Sequence, residues 1–215
     1  MHISASIIAA DLLNLAKEIE DIINAGVDSI HLDVMDGHYV PNFTFGENIC
    51  NTIKRKFSIP VHAHLMVQSL SIEFVERFVN ADVDSITIHL DSAKDIKKIL
   101  SFIKSKNIRV GLALNPDQSP ELLLPFLKEL DSITLMTVKP GFAGQKFIPE
   151  VLHKVENLKK LLNPDIQLVV DGGINLETAR MCKAQGLNNF VIGSALFSNI
   201  NYSGFVDSFK KISAQ

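Results

Sequence analysis

The sequence predicts an α/β fold, a single (β/α)8 TIM barrel spanning residues 1–215, with the active site at the C-terminal ends of eight parallel strands. Three observations support this prediction. Short apolar runs rich in β-forming residues recur about every 25 residues. Amphipathic stretches with helical period lie between them. The length of 215 residues suits one closed domain of this type.

Strands and helices are predicted in strict alternation, which is typical of parallel βα units. The predicted strands are His2–Ile8, Asp28–Val34, Val61–Val67, Ser85–His89, Arg109–Leu114, Ser132–Val138, Gln167–Asp171 and Asn189–Ile192. The clearest predicted helices are Asp11–Ile23, Ile72–Val79, Ala93–Lys104, Pro149–Leu161 and Leu176–Ala184. Eight repeats favour a closed barrel over an open doubly wound sheet, an alternative that periodicity alone leaves open.

Composition and charge argue against several classes of protein. Hydrophobic residues make up 47% of the chain and charged residues 21%, which is typical of an ordered globular domain. The net charge of -3 and the lack of a basic cluster argue against a nucleic-acid partner. Cys50 and Cys182 are far apart, so we expect reduced thiols rather than a disulfide or a zinc site. No stretch suggests a membrane span or a signal peptide, so we expect no membrane partner and a cytoplasmic location.

Acids and histidines collect at the predicted strand ends. His31 and Asp33 lie two positions apart, so both side chains share one face of the second strand. His62 and His64 repeat this spacing on the third strand, and Asp171 ends the seventh. Taken singly, such residues are most often hydrogen-bonded core groups or helix caps. Together they would be costly to bury without a shared partner, so the set indicates a divalent metal ion, and two acids could move a substrate proton between faces.

Glycine-rich segments follow the last three predicted strands, at 139–145, 171–175 and 192–195. In barrels of this type, a phosphate often binds to backbone N–H groups of the loops after the last strands. We therefore predict a phosphate site there. Three methionines, Met35, Met66 and Met136, lie at or near the ends of other strands. Singly they are typical core residues, but around a metal ion they would form a polarizable lid that is poor in water.

Five segments carry a family resemblance over nearly the whole chain: 4–11, 31–42, 64–67, 136–147 and 170–174. The most specific patterns are His-x-Asp-x-Met-Asp-Gly, which starts at His31, and Pro-Gly-Phe-x-Gly-Gln, which starts at Pro140. In these segments the chain resembles the ribulose-phosphate 3-epimerase family. The resemblance implies a TIM barrel that interconverts D-ribulose 5-phosphate and D-xylulose 5-phosphate at C3, a step of the pentose phosphate pathway.

The resemblance also implies roles for individual residues. Asp33 and Asp171 would form the acid/base pair of a two-base 1,1-proton transfer through a metal-stabilised enediolate. The implied ligands of one divalent ion (zinc, iron(II), manganese or cobalt) are His31, Asp33, His64 and Asp171, and no organic cofactor is expected. The implied substrate contacts are Ser6, His64, Gly141, Phe142, Ala143, Gly144, Gly172, Gly173, Gly193 and Ser194, under a cap of Met35, Met66 and Met136. The expected partners are a sugar phosphate and further copies of the chain in a homo-oligomer.

Two other functions compete with this interpretation. The Gly-Phe-Ala-Gly-Gln sequence at 141–145 also resembles enzymes that epimerise D-allulose 6-phosphate, a six-carbon ketose. The complete 171–175 stretch is more similar to the pentose enzymes. A sugar-phosphate-binding protein without catalysis is a more remote alternative, because binding a phosphate requires neither two acids nor a metal ion.

Overall fold

Eight parallel strands form a closed barrel in chain order within residues 1–212, which are the residues that this computed structural model describes. The strands are β1 (His2–Ser6), β2 (Ser29–Met35), β3 (Val61–Met66), β4 (Ser85–His89), β5 (Arg109–Leu114), β6 (Ser132–Met136), β7 (Gln167–Asp171) and β8 (Asn189–Ile192). Each strand pairs in parallel with the next, and β1 closes the barrel against β8. The predicted (β/α)8 barrel is therefore confirmed.

Helices follow the strands and cover the outside of the barrel. The α-helices are α1 (Leu15–Asn24), α2 (Glu47–Lys56), α3 (Ile72–Asn80), α4 (Ile96–Ser105), α5 (Lys154–Leu161), α6 (Leu176–Ala184), α7 (Ser194–Phe197) and α8 (Tyr202–Lys210). Shorter 3-10 segments lie at Ile7–Ala9, Leu12–Asn14, Pro120–Glu129 and Pro149–His153. Within residues 1–212, no helix has the combination of length and apolar character that crossing a bilayer requires.

The alternation of side chains along β2 shows how the strands supply both the core and the site. Ile30, Leu32 and Val34 belong to the apolar core between the sheet and the helices. His31 and Asp33, which lie between them in sequence, point to the opposite face and line the interior of the barrel. Both faces of a strand are expected to be buried in a parallel barrel. A buried polar side chain on such a strand therefore points into the barrel interior rather than toward solvent.

The predicted elements differ from the observed ones mainly in the loops. The first strand ends at Ser6 rather than Ile8, because the chain turns into a 3-10 helix there. Helix α2 is not among the predicted helices, because only Cys50 and Ile53 of its ten residues are buried and its apolar stripe is short. The segment Pro120–Glu129 forms a 3-10 helix rather than an α-helix, because it contains Pro125 and proline disrupts an α-helix.

The two cysteines are free and buried, as expected. Burial raises the pKa of both thiols, Cys50 and Cys182, to about 12. A thiol with such a pKa is protonated at neutral pH and is a poor nucleophile or metal ligand. We therefore place both residues in the apolar packing rather than in a chemical site.

Candidate active site

Four polar side chains converge at the C-terminal ends of three strands. His31 and Asp33 come from β2, His64 from β3 and Asp171 from β7. The Nε2 atom of His31 lies 3.3 Å from Asp33 Oδ1, 3.3 Å from His64 Nδ1 and 3.6 Å from Asp171 Oδ2. His64 Nδ1 lies 3.5 Å from Asp33 Oδ1 and 3.4 Å from Asp171 Oδ2. Two imidazoles and two carboxylates thus direct one atom each toward a common point.

The spacing of these four atoms fits a divalent metal ion. All four lie within 4.8 Å of one another. Five of the pairs are 3.3 to 3.6 Å apart, and a tetrahedron with metal–ligand bonds of about 2.1 Å has edges of about 3.4 Å. Mixed nitrogen and oxygen donors suit zinc, iron(II), manganese or cobalt. The four residues therefore have both the chemistry and the spacing of a metal site.

Charge compensation in the site is mutual. Burial alone would lower the pKa of His64, but the Asp171 and Asp33 carboxylates outweigh it and raise that pKa to about 9. Burial would raise the pKa of Asp33, but His31 and His64 lower it well below the ordinary value. In the metal-free protein at neutral pH, the proton on His64 therefore balances the buried carboxylates. A metal ion that binds His64 has to displace this proton.

Neighbouring groups hold the carboxylate of Asp33 and the backbone of Asp171. The Ser6 hydroxyl donates a hydrogen bond of 2.6 Å to Asp33 Oδ2, the oxygen that faces away from the histidines. The backbone carbonyl of Asp171 accepts hydrogen bonds from the Thr137 N–H at 2.7 Å and from the Thr137 hydroxyl at 3.0 Å. Each acid is thus held by a polar neighbour on an adjacent strand end, Asp33 through its carboxylate and Asp171 through its backbone carbonyl.

A pocket of about 570 Å³ opens next to the two acids. The predicted residues that line it are Ser6, Asp33, Met35, Met66, Met136, Gly141, Phe142, Ala143, Gly144, Asp171, Gly172, Gly173, Gly193 and Ser194. The structure therefore brings the acids and all three glycine-rich segments into one pocket. His31 and His64 are buried and do not belong to its lining.

Two glycines allow the loops after β6 and β7 to approach each other closely. Gly172 has φ +117°, and a Cβ atom there would lie 2.4 Å from the Cγ2 atom of Val138. Gly173 has φ +65°, and its Cβ would lie 2.6 Å from the backbone N of Phe147. Any larger residue would strain the backbone and push these loops apart. Glycine is needed here for the shape of the pocket.

The three predicted methionines line the same pocket as the two acids. Met35, Met66 and Met136 are at most 4% exposed, and each ends its strand at the pocket. Met35 and Met66 pack with Val40 in a small apolar cluster distinct from the main core. The predicted juxtaposition of methionines and acids is therefore present.

Some lining residues were not predicted, namely Ile8, Val138, Pro140, Gln145, Ile174 and Val191. Pro140, Gln145 and Ile174 lie within the glycine-rich segments or directly beside them, and that position could have identified them. Ile8 and Val191 carry no such signal, because aliphatic residues at strand ends are common.

Asp36 is a structural residue. Its Oδ1 accepts hydrogen bonds from the backbone N–H groups of His38 and Tyr39, both at 2.9 Å, and Oδ2 accepts one from Gln68. These N–H groups lower the pKa of Asp36 against the opposing effect of burial. Asp36 therefore begins the turn that contains Gly37.

Comparisons with known proteins match most of the chain to one family. The model of the ribulose-phosphate 3 epimerase family matches residues 2–197. The ribulose-phosphate 3-epimerase of Helicobacter pylori (strain J99) is 40% identical over 202 residues, which are 93% of this chain and 92% of that protein. The ribulose-phosphate 3-epimerase of Bacillus subtilis (strain 168) is 36% identical over 201 residues, 92% of each chain.

Solved structures share the fold at low sequence identity. The 3-hexulose-6-phosphate synthase of Salmonella typhimurium has a TM-score of 0.73 at 18% identity, over 99% of this chain and 98% of that one. KGPDC from Streptococcus mutans has a TM-score of 0.74 at 13% identity, over 97% of this chain and 95% of that one. Such likeness supports the barrel alone. The family match and the curated relatives go further and show that this chain belongs to the ribulose-phosphate 3-epimerase family.

Proposed function

We propose that this chain interconverts D-ribulose 5-phosphate and D-xylulose 5-phosphate by moving a proton at C3, with Asp33 and Asp171 as the acid/base pair. The observation that carries the proposal is the convergence of two carboxylates and two imidazoles at metal-ligand spacing beside the pocket. Family membership and the names of the curated relatives support the same reaction.

Both acids are placed to exchange protons with a bound substrate. Asp33 and Asp171 are 7% and 9% exposed, and both line the pocket. They come from β2 and β7, which are not neighbours in the barrel, so they reach a substrate carbon from different directions. One carboxylate removes the C3 proton, and the carboxylic acid from the other strand returns a proton to the opposite face.

His31, Asp33, His64 and Asp171 are the residues that would hold a divalent ion. Such an ion would polarise the C2 carbonyl and stabilise the negative charge that develops when C3 loses its proton. The Ser6 hydroxyl favours the ionised form of Asp33 through its hydrogen bond to Oδ2. Asp33 therefore remains a carboxylate oriented toward the pocket.

The rest of the pocket orients the substrate and limits water. The glycine-rich segments after β6, β7 and β8 would present backbone N–H groups to the phosphate, as barrels of this type do. The buried methionines leave few water molecules near C3, which strengthens electrostatic interactions with the developing charge. Phosphate binding at one end thus places C3 between the acids at the other.

Solvent exchange tests this proposal directly. Purified protein loaded with zinc is incubated with D-ribulose 5-phosphate in deuterated water, and deuterium at C3 is followed by NMR together with formation of D-xylulose 5-phosphate. We expect both in the wild type. Asp33→Asn and Asp171→Asn should each lower net epimerisation by about 100-fold or more, the usual range for loss of an acid or base.

The variants also separate the two proton-transfer steps. One asparagine variant is expected to retain exchange on a single substrate epimer, because the remaining acid still serves one face. Normal epimerisation in both variants, or no deuterium uptake by the wild type, would contradict the assignment. A parallel assay with D-allulose 6-phosphate tests the six-carbon alternative, which faster turnover of that substrate would favour.

A further inference from the structure

Two buried polar atoms lack a hydrogen-bond partner within the described part of the chain: Nδ1 of His89 and Oδ1 of Asn115. They belong to adjacent strand ends, since His89 pairs with Ala113 and Asn115 stands two residues farther along. Burial lowers the pKa of His89 well below its ordinary value, and the nearby Asn115 side chain opposes that effect. A neutral imidazole has one donor nitrogen and one acceptor nitrogen.

These two residues connect His64 to the protein surface. His64 Nε2 lies 2.8 Å from His89 Nε2. On the far side, the amide nitrogen of Asn115 donates to the Tyr39 hydroxyl at 3.2 Å, and that hydroxyl donates to Asp91 Oδ1 at 2.7 Å. Asp91 is exposed, whereas His64 and His89 are fully buried. Polar groups therefore lead from a solvated carboxylate to the floor of the site, and the two unpartnered atoms, His89 Nδ1 and Asn115 Oδ1, stand on either side of the gap between them.

Only one arrangement of protons suits a metal ligand at His64. Its Nδ1 faces Asp33 and Asp171, so Nδ1 needs a free lone pair to bind an ion. Nε2 then carries the proton and donates it to His89 Nε2, which has to be the acceptor. The proton of His89 consequently sits on Nδ1. This atom and Asn115 Oδ1, on the next strand end, both lack a hydrogen-bond partner within the described residues, and we assign Oδ1 as the acceptor.

The backbone of Asn115 is held independently of this chain. Its N–H donates to Gln118 Oε1 at 2.9 Å, and its carbonyl accepts from Lys154 Nζ at 3.2 Å. The Tyr39 ring packs against the His89 ring, with centroids 4.9 Å apart. Neighbouring residues therefore hold both the Asn115 backbone and the His89 ring in place. This is expected of residues that position a ligand rather than only fill space.

We propose that His89, Asn115, Tyr39 and Asp91 form a one-directional hydrogen-bond relay that holds His64 in the tautomer and ring orientation that bind the metal ion. The proposal rests on the metal-dependent function proposed above and extends it to four further residues. They are positioning residues, because they act through His64. Such outer partners of ligating histidines typically contribute about 10-fold to 100-fold to metal affinity.

Zinc affinity, measured by competition with a chelating dye, tests the relay without an activity assay. His89→Phe should weaken zinc binding by about 10-fold to 100-fold. His89→Gln should stay within about threefold of the wild type, because its amide can accept from His64 and donate to Asn115. Tyr39→Phe, which removes only a hydroxyl and preserves the ring, should give a smaller loss of a few-fold. His62→Phe is the matched control, since it makes the same histidine-to-phenylalanine change on the next strand, β3, outside the relay.

Nitrogen-15 NMR of the zinc-loaded wild type supplies a second readout, in which the His89 proton is expected on Nδ1. A proton on Nε2, or wild-type zinc affinity in His89→Phe, would overturn the relay and leave the proposed function intact. Failure of the wild type to bind zinc would refute the metal site and the relay together. Urea unfolding of each metal-free variant identifies a loss of zinc affinity that comes from misfolding. If His89→Phe misfolds, the zinc affinities of Tyr39→Phe and His89→Gln decide whether the relay exists.

Discussion

The barrel interior has two polar regions that differ in what balances their histidines. The mouth consists of His31, Asp33, His64 and Asp171. The base is lined by His2, Ser4, His62, Ser85, Thr87, Arg109, Ser132, Thr134, Gln167 and Asn189, with His31 at its upper limit. Both contain imidazoles, but the lining of the base holds no carboxylate among the described residues. The presence of carboxylates decides which of the two regions can bind a metal ion and transfer protons.

Two histidines on one strand show the effect. Burial, reinforced by His31, lowers the pKa of His62 to about 3. Two positions farther along β3, the Asp171 and Asp33 carboxylates raise the pKa of His64 to about 9 despite its burial. In the metal-free protein at neutral pH, a histidine is thus neutral at the base and protonated at the mouth. A buried histidine therefore indicates a metal or catalytic site only when carboxylates share its surroundings.

The largest expected effect separates these two histidines directly. His64→Gln removes a metal ligand and should lower epimerase turnover by about a thousandfold, the equivalent of roughly 4 kcal/mol. His62→Gln should change turnover by less than about threefold, because it alters neither the acids nor the ligands. Steady-state turnover and bound zinc, measured on both purified variants, check the prediction. An equal loss of activity in the two variants would remove the distinction between mouth and base.

The protonation of the two histidines gives a second test, in the metal-free protein. His64 has its pKa raised from 6.5 to about 9, so its contribution to stability is complete below pH 6.5 and is lost as the pH rises through about 9. His62 has its pKa lowered from 6.5 to about 3, so it destabilises the fold as the pH falls from 6.5 toward 3. NMR titration of both rings, with urea unfolding of the wild type and His62→Gln across this range, measures the two effects. Identical titration of the two rings near pH 6.5 would contradict the prediction.

The sequence predicted the mouth better than the base. Strand alternation placed His31 and Asp33 on one face, and the ends of parallel strands brought them to His64 and Asp171. The role of His62 could not be predicted, because its position relative to the carboxylates depends on its height in the barrel rather than on its spacing from His64. Neither could the relay through His89, whose isolated position on β4 is typical of a core residue and whose partner Asn115 lies on the next strand.

The smallest expected effect compares two serines that lie in these two regions. Ser6 donates to Asp33 Oδ2 at 2.6 Å at the mouth. Ser29 donates to Ser4 at 2.8 Å and contacts His2 Nε2 at 3.0 Å at the base. Ser29→Ala should lower the free energy of unfolding by about 1 to 2 kcal/mol, since it leaves buried polar partners unsatisfied, and should leave turnover unchanged.

Ser6→Ala should act on chemistry instead. A hydrogen bond to a charged carboxylate contributes about 1.5 kcal/mol or more, which corresponds to about a tenfold loss of turnover if the bond holds Asp33 ready for proton transfer. Without this donor, the pKa of Asp33 rises, so the acidic limb of the pH–rate profile should move to higher pH in Ser6→Ala and stay in place in Ser29→Ala. A pH–rate profile for each variant, together with its urea unfolding curve, distinguishes the two outcomes. Equal losses of stability with unchanged profiles would mean that Ser6 only fills the barrel, as Ser29 does.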